Sequence, residues 1–206
     1  MSRSNIFQSI QQATQSIPAE AKTPLPDWKP GDLQSAFTPQ DQADLWEVFK
    51  DRFIAVNGKI IEDTSEFQDI LQSEPGSKLY VDPLVFQSIQ PLAEGMDLEI
   101  CQTFDVDHVD DYPISVTLAA GIIAETGTVI IKENQTSSRL SALAPWTHIT
   151  LVDKRTTVYA TLLDAISDLA DDPYVVFITG PSKTADVEGI LIEGVHGPGE
   201  QICLRI

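Results

Sequence analysis

Three short stretches of this sequence set glycine beside carboxylate, hydroxyl, ammonium and imidazole groups. The first is Gly121-Ile-Ile-Ala-Glu-Thr-Gly-Thr, running on into an apolar strand. Two glycines bracket a short turn or helix, and Glu125 stands among apolar neighbours. Desolvation disfavours an ionised carboxylate there unless the Thr126 and Thr128 hydroxyls, or amides of the turn at Gly127, compensate. Such a group can serve as general base or nucleophile, or orient a substrate hydroxyl. It can equally cap neighbouring backbone amides and shape the turn.

The second stretch is Thr179-Gly180-Pro-Ser182-Lys183-Thr184-Ala-Asp186, directly after the strand-like Tyr174–Thr179. A strand followed by a glycine loop and a helix start presents backbone amides to an anion, and Ser182, Thr184 and Lys183 add donors and positive charge. The spacing is not that of a P-loop. Plain helix capping by Ser182 or Thr184, with Asp186 favouring the helix dipole, uses the same residues. The third stretch is Glu193-Gly-Val-His196-Gly197-Pro-Gly, in which Gly194 is expected to end a helix and the remainder to form a tight loop. His196 there can act as acid/base, ligand or donor, or be structural. Arg139 has a planar fork suited to a carboxylate, or it is a loop arginine paired with one of the chain's 31 acids. The run Asp105–Asp111 around His108 reads as a solvated loop more readily than as a cation site.

The elements that must position these groups alternate. A helix is expected from the Thr38 cap and Pro39, with Leu45, Val48, Phe49, Arg52, Phe53 and Val56 at helical spacing, closed by Asn57-Gly58. Ser65-Glu-Phe-Gln68 has the form of a capping box opening a helix to about Gln72. Strands are expected at Lys59–Ile61, Lys78–Asp82, Leu98–Cys101, Ile114–Thr117, Val129–Lys132, His148–Val152, Tyr174–Thr179 and Ile202–Ile206. Helices are expected at Val85–Ala93 and along Val158, Leu162, Leu163, Ile166 and Leu169. Alternation with short connections predicts an α/β fold with a Rossmann-like, mainly parallel sheet and helices on both faces. Residues 1–38, rich in Gln, Ser, Thr and Pro, read as an N-terminal arm, and residues 39–206 as one domain.

Net charge is −18, with 13 basic residues and no basic run. That field argues against nucleic acid and anionic membranes as partners. No stretch has the length and apolarity of a membrane-spanning helix, and no signal-peptide pattern opens the chain, so a cytoplasmic protein is expected. Cys101 and Cys203 each lie in a strand-like run and read as small hydrophobes. Two thiolates cannot hold an iron–sulfur cluster unaided, no dinucleotide fingerprint occurs, and no metal site is assigned.

The segments AETGTVII, SSRLSALAPWTHITLV and TGPSKTADVEGILIEGVHGPGE resemble the lactate-utilisation domain family, in particular its protein-C type. The resemblance implies a fold related to ribose-phosphate isomerases, glucosamine-phosphate deaminases and coenzyme A transferases. In the last of these a glutamate from a comparable strand and turn is the nucleophile, which by analogy falls on Glu125. Family members act with partners that carry iron–sulfur clusters in oxidising L-lactate to pyruvate. The resemblance therefore implies a non-cluster subunit that holds a small carboxylate or other anion, with clusters on the partner proteins and this chain binding no cofactor itself. Its candidate anion ligands are Thr126, Gly127, Thr128, Arg139, Gly180, Ser182, Lys183, Thr184, Asp186 and Gly197, with Glu125 and His196 as candidate catalytic groups. Two alternatives remain open, a stand-alone isomerase- or transferase-type enzyme using Glu125 and a metabolite-binding regulatory module. A homo-oligomer is a further possibility.

Overall fold

The computed structural model describes residues 3–15, 44–74, 76–132, 139–169, 174–185 and 191–206. The chain divides into two compact units, Met1–Gln34 and Ser35–Ile206. In the first, Arg3–Gln15, within the stretch read as an N-terminal arm, form a helix, α1. The Thr38-Pro39 helix start lies outside the described residues. The helix α2 runs over Leu45–Ala55, with the Asp44 carboxylate accepting from the Trp46 amide as its N-cap.

In the second unit the expected parallel sheet is present. Six strands, β1 (Lys59–Ile61), β2 (Lys78–Val81), β3 (Glu99–Cys101), β4 (Ile114–Leu118), β7 (Thr147–Val152) and β12 (Glu200–Arg205), lie in the order β1-β12-β7-β4-β2-β3. Every pairing in that sheet is parallel. All six residues of β7 are buried, as expected of a strand covered on both sides, which reads as a nearly continuous β-branched run. One face packs on α3 (Thr64–Gln72) and the short α4 (Phe86–Ile89), through Phe67, Leu71, Val85 and Ile89. The cap of α3 is Asp63, accepting from the Ser65 amide, so the box read at Ser65 is displaced by two residues.

The other face meets α2, through Trp46, Phe49 and Phe53, and a second sheet not anticipated from the sequence. This sheet has the order β8-β5-β6-β9, from β5 (Gly121–Ile123), β6 (Thr128–Lys132), β8 (Thr157–Tyr159) and β9 (Val175–Ile178). The strands expected at Val129–Lys132 and Tyr174–Thr179 belong to it and pair antiparallel. Its outer side is covered by α6 (Leu162–Asp168), where Ala165 and Leu169 are buried while Leu162 and Ile166 are exposed. Val158, expected on this helix, sits on β8 instead. The chain also has α5 (Leu140–Leu143) and a two-stranded ribbon of β10 (Lys183–Ala185) with β11 (Leu191–Glu193).

One row of the parallel sheet is polar and fully buried. Ser115 on β4, His148 on β7 and Gln201 on β12 are register partners. The His148 ring bonds the Thr117 hydroxyl at 2.8 Å and the Gln201 amide group at 3.0 Å. Burial pushes the imidazole down from 6.5 to about 4, so it is neutral in the fold. Between those two values the unfolded chain binds a proton that the folded chain does not. The contribution of His148 to stability is therefore full above pH 6.5 and is lost as pH falls towards 4. Urea midpoints should decline through this window by an amount worth about 3 kcal/mol. A His148→Gln variant should decline less; an equal decline refutes the assignment.

Candidate functional site

The Gly121–Thr128 stretch is a β-hairpin of β5 and β6, so of the turn or helix expected between strands it is the turn that forms, with Gly121 itself on β5. The Glu125 carboxylate accepts from the Leu162 amide at 3.1 Å, and the Glu125 amide donates to the Ala160 carbonyl. Glu125 thus joins the Thr161–Asp164 capping box at the start of α6, satisfying amides that have no partner within the helix. Thr126, Thr128 and Thr179 form a chain of hydroxyls, with 2.6 Å and 2.7 Å between successive oxygens.

Gly180–Ala185 does not begin a helix. Lys183–Ala185 is the strand β10, and Thr184 pairs with Ile192 of β11. An anion site at a helix N-terminus is therefore absent from Gly180–Ala185, and Asp186 lies outside the described residues. Gly194 follows a strand and not a helix. The Lys183 ammonium donates to the Val56 carbonyl at 3.2 Å and lies 3.6 Å from Glu193, which also accepts from the Asn57 side chain at 2.8 Å. This closes the C-terminal end of α2, where a cation is favoured by the orphan carbonyls. The Ser182 amide donates to the Pro198 carbonyl, its carbonyl accepts from the Gly194 amide, and Gly197 packs directly on its side chain. His196 is exposed in the turn. The Arg139 guanidinium lies 4.3 Å above the Tyr174 ring, at the start of β9 and away from Thr179 and Gly180 at its end.

The candidate residues therefore fall into separate groups. Gly127, Gly180 and Lys183 gather on α2; Ser182 and Gly197 pack together; Glu125 serves α6; Arg139 stacks on Tyr174. Gly127, at φ 64°, shows the tightness of the first group, because a Cβ there would come within 2.4 Å of the Phe53 amide nitrogen.

Open α/β sheets bind ligands where the connections of adjacent strands diverge at their carboxyl ends. Here the chain passes from β2 outward to the edge strand β3, then returns to β4 on the other side of β2. A cavity of about 350 Å³ opens at this end of β4 and β7. Its walls are Leu84 after β2, Ala119 and Ala120 after β4, and Asp153, Arg155 and Thr156 after β7. The Asp153 carboxylate accepts from the Arg155 side chain at 2.6 and 3.0 Å and from its amide at 2.7 Å. The Arg155 guanidinium holds Asp153 below the usual carboxylate range. Arg155 itself is 83% exposed. Asp82, 1% exposed, ends β2 beside this mouth and accepts from the Leu84 amide. Sequence reasoning missed this group, although a carboxylate directly follows an apolar strand in both Leu79-Tyr-Val-Asp82 and Ile149-Thr-Leu-Val-Asp153.

Two stability measurements separate packing from chemistry. Gly127→Ala should cost about 3 kcal/mol in chemical denaturation, since strain at positive φ adds to collision with α2. Gly95→Ala, also at positive φ but with open space around it, should cost about 1 kcal/mol; equal losses would remove the close-approach argument. Glu125→Ala should lower stability by about 1 kcal/mol through the lost cap, and Glu125→Gln by less. No loss in the alanine variant would argue against a capping role.

The comparisons with known proteins agree with this architecture. The family model for the LUD domain matches residues 107–204. Lactate utilization protein C of Anoxybacillus flavithermus is 28% identical over 84% of this chain and 85% of its own length. Its namesake in Macrococcus caseolyticus is 26% identical over 95% of this chain and 90% of its own. Among solved structures, a DUF162 family protein from Deinococcus radiodurans superposes with a TM-score of 0.57 at 20% identity, covering 81% of this chain and 99% of that one; it shares the fold. The matched segment spans β4, β7, the second sheet, the glycine-rich stretches and nearly all of β12, and over it this chain is similar to the LUD domain family.

Proposed function

We propose that this chain is a cytoplasmic subunit of a system that oxidises L-lactate to pyruvate, and that it holds a small carboxylate at the crevice between β4 and β7. Support for the pathway comes from relatives named lactate utilization protein C, which align with most of its length. Support for a cluster-free role comes from the thiols. Cys101 lies on the edge strand β3 and Cys203 on β12, with β2, β4 and β7 between them. Iron–sulfur clusters, which need about four thiolates, would then sit on partner proteins. No helix among the described residues is long and apolar enough to cross a membrane.

The observation that carries the binding role is Arg155 at the switch-point crevice. Its guanidinium already holds a carboxylate, that of Asp153, through two side-chain nitrogens. A planar fork that pairs with one carboxylate in this geometry can exchange it for that of lactate or pyruvate. Ala119 and Ala120 leave room for a three-carbon acid and give the crevice an apolar wall. Glu125 and Lys183 are engaged within the fold, so the crevice serves this role better than the glycine-rich stretches.

Titration calorimetry with L-lactate and with pyruvate tests the proposal. The native chain should bind at least one of them, and Arg155→Gln should weaken it tenfold or more, about 1.4 kcal/mol. Arg155→Lys should keep part of the affinity. Absence of binding by the native chain, or unchanged affinity in Arg155→Gln, overturns the assignment.

A further inference from the structure

The opposite end of the sheet carries a surface whose composition differs from that of the crevice. Trp146 immediately precedes β7 and is 55% exposed. Its ring rests on Gly194 and Gly199, where a Cβ would come within 2.3–2.6 Å of it, so the indole is fixed from beneath. Two adjoining cavities, of about 330 and 470 Å³, share Lys59, Trp146, Glu200 and Ile202 in their walls and form one groove across the amino-terminal ends of β1, β12 and β7.

The groove is rich in carboxylates. Among the described residues its walls carry five carboxylates, Glu66, Asp69, Glu74, Glu193 and Glu200, against one cation, Lys59, which is already 2.8 Å from Glu66, while Glu193 lies 3.6 Å from Lys183 just outside the walls. The segments around Trp146 carry exposed apolar side chains: Leu143, three residues before it, and Leu191, Ile192 and Val195, flanking the Gly194 on which its ring rests, are between 40% and 63% exposed. An exposed apolar patch with a rigid aromatic at its centre and a charged rim is the usual composition of a protein-docking surface. The sign of the rim selects the partner.

We propose that this groove docks an arginine-bearing segment of a partner protein. A guanidinium laid on the Trp146 face would gain a cation–π contact and reach the groove carboxylates with its edge. The fold already uses this combination internally: the Arg205 guanidinium lies 4.3 Å above the Trp46 ring with Glu62 3.5 Å away. At Trp146 the aromatic face and the carboxylates are in place, and the cation is to be supplied by the partner. Aliphatic side chains flanking the arginine would cover Leu143, Ile192 and Val195. This surface is independent of the lactate reading, because it uses neither Arg155 nor the crevice.

The probe is a hexa-arginine amide added to the full chain, followed through the indole resonance of Trp146 in nitrogen–proton correlation spectra. Saturable shifts of that resonance are expected, with hexa-lysine binding more weakly and hexa-glutamate not at all. Glu66→Gln/Asp69→Asn/Glu74→Gln should weaken hexa-arginine at least about tenfold. Asp51→Asn/Asp107→Asn/Asp110→Asn removes the same charge elsewhere and should leave the affinity within about twofold. Equal weakening in both triples would reduce the effect to net charge and overturn the proposal. Binding of free arginine as tight as that of the peptide would reassign the groove to a small cation and likewise overturn it, as would peptide binding that leaves Trp146 unmoved.

Discussion

Everything in the second unit depends on how closely α2 approaches two other backbones. The turn at Gly127 lies against Arg52 and Phe53, and Gly180, at the end of β9, lies against the Val56 carbonyl. Neither contact leaves space for a side chain. Because the backbones meet, the Trp46, Phe49 and Phe53 rings are held in sequence, with centroids 5.4 and 5.3 Å apart, between the parallel sheet and the second sheet. The same approach brings Lys183 to the end of α2 and sets the direction in which the chain enters β1. A core of this kind tolerates little change in volume, since filled interiors have no slack to absorb a displaced methyl group.

The parallel strands were legible in the sequence because burial on both faces leaves a strong mark. Ile114–Thr117 and His148–Val152 are apolar and β-branched over most of their length, and both lie within observed strands. The capping positions were less legible. Asp63 and Ser65 both have side chains that can accept from a nearby amide, and only packing of Phe67 and Leu71 on the sheet decides which turn begins the helix. The hairpin β5–β6 was taken for a turn or short helix because β5 has three residues, too few to display a period of two. Ser182 and Thr184 resemble caps for a similar reason, whereas the ribbon they enter is defined by a partner strand several residues further on. The crevice was least legible of all. It exists only because β4 returns to the inner side of β2, and strand order is not written in local pattern.

The two ends of the sheet therefore have different characters, and the glycine-rich segment Gly180–Gly199 belongs to the end away from the crevice. Its residues hold the α2 terminus, support Trp146 and line the acidic groove. The crevice is built from other parts: two alanines, two leucines after β2 and on β4, and a loop in which an arginine is held by an aspartate. Under the two proposals, this separation would let a small ligand and a large partner be bound at once. Neither site crowds the other, and the rigid strands between them fix the distance that separates the two.

The neutral imidazole of His148 also has a kinetic consequence. Its two nitrogens face Thr117 and Gln201, on the strands to either side, and its side chain has no exposure to water. The single proton it keeps can escape only when β7 parts from β4 or β12, which means when the centre of the sheet comes open. Solvent exchange at that one ring position therefore reports the rarest opening of the molecule, while amides in the turns exchange through far smaller fluctuations. His148 is in this sense a clock placed at the centre of the sheet.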